Sequence, residues 1–142
     1  MQLCTTSETI SFGRMLEESS ALFYQDLLQK YPEAKALAAF PEENRKFVIQ
    51  IQRAYQSVIT DAIEGCYAFQ LESDLYGIDT TLSASASWTE AVQKALAIEE
   101  TILNFYHTAA DQSMALMADI PRNFKLVAKK KAARVVNLKA LV

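Results

Sequence analysis

The second half of this chain lies over the first. In one register Thr5 meets Ser87, Glu8 meets Glu90, Glu17-Glu18 meets Glu99-Glu100, and Phe23-Tyr24 meets Phe105-Tyr106. Thr5 with Glu8, and Ser87 with Glu90, have the spacing of a capping box, in which each side chain satisfies a free backbone N–H at a helix start. The start signal, the carboxylate pair and the aromatic pair therefore recur together. One supersecondary unit is used twice. The later halves of the two units correspond less cleanly: Pro41 matches Pro121, and Phe47 matches Phe124, each at a slightly shorter offset. Two similar helical hairpins are the expected result.

The composition agrees with long helices. Glycine and proline number three each in 142 residues, too few for a turn-dense β fold. The spacing predicts helices over roughly 6–30, 42–76, 88–117 and 121–141, with Pro41 and Pro121 at favoured first positions. Residues 78–86 have no period and form a connection. The expected fold is all-α, a four-helix bundle of two hairpins joined by a long crossover, with residues 1–142 as one domain. No apolar run approaches the roughly 20 residues of a membrane span. Met1 to Thr5 show no basic segment followed by an apolar run, and Cys4 and Cys66 form no C-x-x-C. A cytoplasmic, reduced setting is expected.

Within each hairpin one carboxylate points the wrong way for a solvated residue. Glu17 shares a helix face with Ile10, Gly13, Ala21 and Tyr24. Glu99 shares one with Val92, Ala95, Ile102, Leu103 and Tyr106. A buried charge without a partner costs several kcal/mol, so each glutamate requires a counter-charge, a proton or a metal. Tyr24 and Tyr106 place rings in the same core and bring hydroxyls that need polar partners.

The pattern E-x-x-x-x-x-F-Y, at Glu17 to Tyr24 and again at Glu99 to Tyr106, resembles the first and third helices of rubrerythrins and their ferritin-like relatives. The resemblance implies a ferritin-like bundle, a homodimer, and a di-iron centre in which Glu17 and Glu99 are ligands. The family's remaining ligands come from E-x-x-H on the second and fourth helices. This chain has one histidine, His107, with Asn104 three residues before it, and no E-x-x-H. On the fourth helix the two motif positions fall on Lys131 and Arg134. On the second they fall on Ala54 and Ser57 if Phe47 is the anchor, or on Ile51 and Ala54 if Pro41 is.

Lys131 and Arg134 stand in an otherwise apolar stripe with Val127, Leu138 and Leu141. Inward cations need anions, so a core cluster of Glu17, Glu99, Lys131 and Arg134, bordered by Tyr24 and Tyr106, is expected. The opposing expectation is that both bases snorkel to the surface along their aliphatic stems. Asp61 and Glu64, at i and i+3, offer a lesser alternative. With Glu17 and Glu99 they would form an all-oxygen site suited to a divalent metal such as Mg, Mn or Ca. His107 can meet Asp111 at i+4, on the surface.

Charge is unevenly placed. Residues 1–121 hold 17 acids against 7 bases, and residues 122–142 hold 7 bases and no acid. The basic segment is expected to dock on its own acidic helices. Three functions follow. The favoured one is a rubrerythrin-like protein without its di-iron centre, serving as a structural or interaction protein with no cofactor and no catalytic residue. The second is a di-metal oxidoreductase with non-standard carboxylate ligands. The third is a binding module using the basic fourth helix on an anionic partner, with nucleic acid disfavoured and no membrane partner.

Overall fold

The structure is a computed structural model that describes residues 1–59 and 67–142. Four helices dominate it: α1 (Thr6–Lys30), α2 (Phe40–Val58), α3 (Trp88–Gln112) and α4 (Asp119–Lys139). The chain is an all-α four-helix bundle. Its extensive contacts are α3 on α4, α1 on α2, α2 on α4 and α1 on α3. Among the described residues no helix is long and apolar enough to cross a membrane.

The two starts follow the repeat, the first with the reciprocal box and the second with its Ser87 half alone. Thr5 accepts from the Glu8 N–H at 3.1 Å while the Glu8 carboxylate accepts from the Thr5 N–H at 3.0 Å. Ser87 accepts from the Glu90 N–H at 3.1 Å. Burial then follows helical spacing, from Thr9, Gly13, Leu16 and Ser20 to Tyr24 and Leu27 along α1. At Gly13 the absence of a side chain admits a neighbour. A Cβ there would stand 3.1 Å from Cε2 of Phe105, a fully buried ring that would have to give way by a few tenths of an ångström.

The second helix departs from expectation. It ends at Val58 rather than near 76, and Ile59 is extended (φ −63°, ψ 130°). Phe69 and Leu71 are buried while Gln70 and Glu72 are exposed, a strand period of two. That segment pairs with the N-terminus: β1 (Gln2–Leu3) runs antiparallel to β2 (Leu71–Glu72), with Leu3 opposite Leu71. The Phe69 N–H adds a bond to the Cys4 carbonyl at 3.1 Å. The apolar residues read as a continuing helix therefore cap one end of the bundle, followed by a 3₁₀ turn at Ser73–Tyr76. The third helix ends at Gln112 rather than 117, because Ser113 leaves helical geometry and turns its hydroxyl onto the Ala110 carbonyl at 3.1 Å. The fourth begins two residues before Pro121.

Gly13→Ala tests the α1–α3 approach. An exposed helix interior gains about 1 kcal/mol from this change. Here the contact with Phe105 is expected to reverse the sign and cost about 1–3 kcal/mol, measured by urea unfolding. A stabilised variant would show that the helices do not pack this closely.

Candidate functional site

The four helices each send polar side chains to one point inside the bundle. Glu17 comes from α1, Asn44 from α2, Glu99 from α3, and Lys131 with Arg134 from α4. Glu17, Glu99 and Lys131 have no exposed surface, and Arg134 is 3% exposed. Lys131 and Arg134 reach this point together because i and i+3 lie on one helix face.

Lys131 Nζ stands between the two glutamates, 2.9 Å from Glu17 Oε1 and 3.2 Å from Glu99 Oε2. Arg134 Nη1 donates to Glu99 Oε1 at 3.0 Å and to Asn44 Oδ1 at 2.5 Å. Its Nη2 donates at 3.0 Å to Glu43, which is 45% exposed and marks the rim of the cluster. The guanidinium is enclosed by rings, 4.1 Å from the Phe40 centroid, 5.4 Å from Phe47 and 5.7 Å from Tyr24. These faces attract a cation while excluding water. Lys131 Nζ lies 5.0 Å from the Phe47 centroid.

The tyrosines cross between hairpins. Tyr24 of α1 donates to Glu99 of α3 at 2.7 Å, and Tyr106 of α3 donates to Glu17 of α1 at 3.3 Å. Each copy of the repeat thus supplies a hydroxyl to the carboxylate of the other. Burial, reinforced by these carboxylates, pushes both phenols well above their ordinary pKa, so they act as donors at physiological pH.

The two glutamates are chemically unlike. Burial pushes Glu17 up, and Lys131 offsets this only in part while the Glu99 charge adds to it. Its Oε2 has no hydrogen-bond partner among the described residues. Burial also acts on Glu99, but Lys131, Arg134 and the Tyr24 hydroxyl together outweigh it and hold its carboxyl below the ordinary range. Glu99 Oε2 lacks hydrogen-bond geometry, yet Lys131 Nζ is within ion-pair distance. Burial works against the charge of Arg134, and Glu99 overcomes it, leaving its pKa raised. Glu99 is the fixed anion, and Glu17 is the group that takes up a proton first.

Asn44 is the residue that sequence reasoning missed. It is 1% exposed, and its Nδ2 donates to the Glu17 carbonyl at 3.1 Å and to Ser20 Oγ at 3.0 Å. Its Oδ1 accepts from Arg134 and, at 3.5 Å, from Lys131. The available signal was an amide on the apolar stripe formed with Phe40, Phe47 and Ile51.

The burial pattern of α2 selects the Pro41 anchor. Ile51 and Ala54 are buried and Ser57 is exposed, so the positions equivalent to Lys131 and Arg134 are Ile51 and Ala54. Neither is a metal ligand. A di-iron centre needs carboxylates and imidazoles where this chain has an ammonium, a guanidinium and two aliphatic side chains, so the residues present do not fit one. Among the described residues no group of three or more His, Cys, Asp and Glu side chains comes together. Asp61 and Glu64 lie outside the described residues. His107 is exposed, and no ion pair with Asp111 forms among the described residues. No family model matches the chain, and no curated protein or solved structure matches it.

The unlike glutamates predict unlike variants. Glu99→Gln leaves Arg134 and Lys131 short of their anion and is expected to cost about 3 kcal/mol or more near pH 7. Glu17→Gln removes an anion whose charged form burial already disfavours, and is expected to cost less than Glu99→Gln. The depressed Glu99 contributes stability that is present above the ordinary glutamate pKa and lost as pH falls through its folded value. The raised Glu17 does the opposite: its contribution improves as pH falls through its folded value toward about 4.3. Urea unfolding of both variants against pH checks this, and equal losses at pH 7 would contradict it.

Proposed function

We propose that this chain is a rubrerythrin-like bundle that has exchanged its di-iron centre for an ion-paired core and serves as a structural or interaction protein rather than an enzyme. The observation that carries this is the position of Lys131, 2.9 Å and 3.2 Å from the two repeat-related glutamates. Cations delivered at i and i+3 on α4, where the resemblance expects E-x-x-H, neutralise the carboxylates that a metal would otherwise hold.

The packing order supports the ferritin-like arrangement. α1 and α2 pack together, α3 and α4 pack together, and the cross contacts are α1 on α3 and α2 on α4. On that ring α2 and α3 are not among the neighbouring pairs, which is what the long-crossover reading requires of them. The centre supports a non-catalytic reading: Lys131 and Arg134 fill the space between the carboxylates, and Glu17, Glu99 and Lys131 have no exposed surface.

The anionic-partner reading is weakened by the same geometry. Lys131 and Arg134 face inward, Arg122 pairs with Asp119, and Lys139 lies 3.9 Å from Glu100. Lys130 lies 5.8 Å from the Phe47 centroid. The bases exposed on α4 are Arg122, Lys125, Lys129, Lys130 and Lys139, and Arg122 and Lys139 have an acid of the chain beside them.

Metal analysis tests the proposal. Protein purified without chelator, and again after incubation with ferrous iron and desalting, is expected to retain well under one iron per chain. Two irons per chain, with the absorption of an oxo-bridged pair, would contradict it.

A further inference from the structure

Between α1 and α2 runs a groove of about 790 Å³, within the size range of small-molecule sites. Its charged lining does not balance. Glu17, Glu18 and Glu42 line it against Arg14 and Arg45. Each arginine already stands beside an acid of its own helix, Arg14 3.9 Å from Glu18 and Arg45 4.0 Å from Glu42. The unmatched acid is Glu17. Its Oε1 is taken up by Lys131 at 2.9 Å and by the Tyr106 hydroxyl at 3.3 Å, while its Oε2 is buried with no hydrogen-bond partner among the described residues. A buried carboxylate oxygen left without a donor carries a desolvation cost that a donor would recover.

We propose that this groove binds a small organic amine, whose protonated head donates to Glu17 Oε2 and whose hydrocarbon body lies along Leu22 and Ile49. Leu22 is 66% exposed and Ile49 38%, and both line the groove, so the body has apolar surface to cover. The residue one turn on from Glu17 in the lining is Ala21. On that side α1 places only a methyl group over the carboxylate. Bulk water does not reach the oxygen, since Glu17 has no exposed surface. The head must part the side chains over the Ala21 methyl, and burial of the hydrocarbon body supplies a driving force that a water molecule lacks.

Other ligand classes suit the lining less well. An anion would meet the surplus acid. A bare divalent cation requires several oxygen ligands, and among the described residues no three acids come together. The site rests on the metal-free reading above, because a metal held by Glu17 would occupy the same carboxylate. The two fail separately. Bound iron overturns the centre, whereas a groove that takes no amine leaves the ion pairs standing.

Titration of the full isotope-labelled chain with hexylamine, hexan-1-ol and hexanoate at neutral pH, followed by amide chemical shifts, tests it. Hexylamine is expected to shift the groove amides of α1 and α2 saturably, with a dissociation constant on the order of 1 mM. Hexan-1-ol has the same chain without the charge and is expected to bind the same residues about tenfold more weakly. Hexanoate is expected to give no saturable shift. Glu17→Gln removes the carboxylate and is expected to bring hexylamine down to the level of hexan-1-ol. Ala21→Leu covers the approach with a good helix former and is expected to abolish the shifts from both, with circular dichroism unchanged. Hexylamine that binds no better than hexan-1-ol, that binds Glu17→Gln as tightly as wild type, or that still binds Ala21→Leu would each overturn the proposal. Hexylamine shifts that lie outside the groove or do not saturate would overturn it as well.

Discussion

The ammonium of Lys131 between Glu17 and Glu99 is the interaction on which the centre of this bundle depends. Two carboxylates facing each other in a dry interior repel, and the desolvation of each costs several kcal/mol. One cation 2.9 Å from Glu17 and 3.2 Å from Glu99 relieves the repulsion. Arg134 extends the arrangement toward the rim, where Glu43 ties its second nitrogen to the surface at 3.0 Å. The helices are held in register because all four contribute to one network. Moving α1, α3 or α4 by a turn would separate a buried charge from a partner, and moving α2 would take away the Asn44 amide.

The network is symmetric in its acids and asymmetric in its bases. The repeat places Glu17, Tyr24, Glu99 and Tyr106 as two related pairs, and each tyrosine crosses to the other hairpin's glutamate. The bases come from α4 alone, opposite Ile51 and Ala54 on α2. Asn44 serves that side with an amide, accepting from both cations without adding charge. This imbalance explains why Glu99, with Tyr24, Arg134 and Lys131 beside it, is held ionised, while Glu17 keeps one oxygen without a hydrogen-bond partner.

The helical architecture and the acidic pair were legible because both are periodic. A capping box, a carboxylate and an aromatic pair that recur in one register leave little freedom for which face turns inward. The bases were visible as charges on an apolar stripe, but the stripe alone allowed them to face the core or to snorkel outward; the structure buries both. The end of α2 was not legible. Phe69 and Leu71 fit a helical pattern as well as a strand, and the deciding contact is with Leu3, at the far N-terminus. Asn44 was also hidden, since an amide one turn into a helix has many uses. Only the arrival of Arg134 from the other end of the chain distinguishes this one.

Lys131→Met is the most direct test of the central ion pair, because it keeps the length of the side chain and removes its charge. Unfolding free energies of the variant and the wild type should be compared from pH 7 down to about pH 5, with folding at each pH confirmed by circular dichroism. The account predicts a loss of about 3 kcal/mol or more at neutral pH. That gap narrows as pH falls, because Glu17, left in the variant without its ammonium, has a folded pKa raised further above the unfolded one, and protonation relieves it. A variant as stable as wild type at pH 7, or a deficit that does not change with pH, would show that Lys131 acts by packing and that no buried ion pair holds the bundle together.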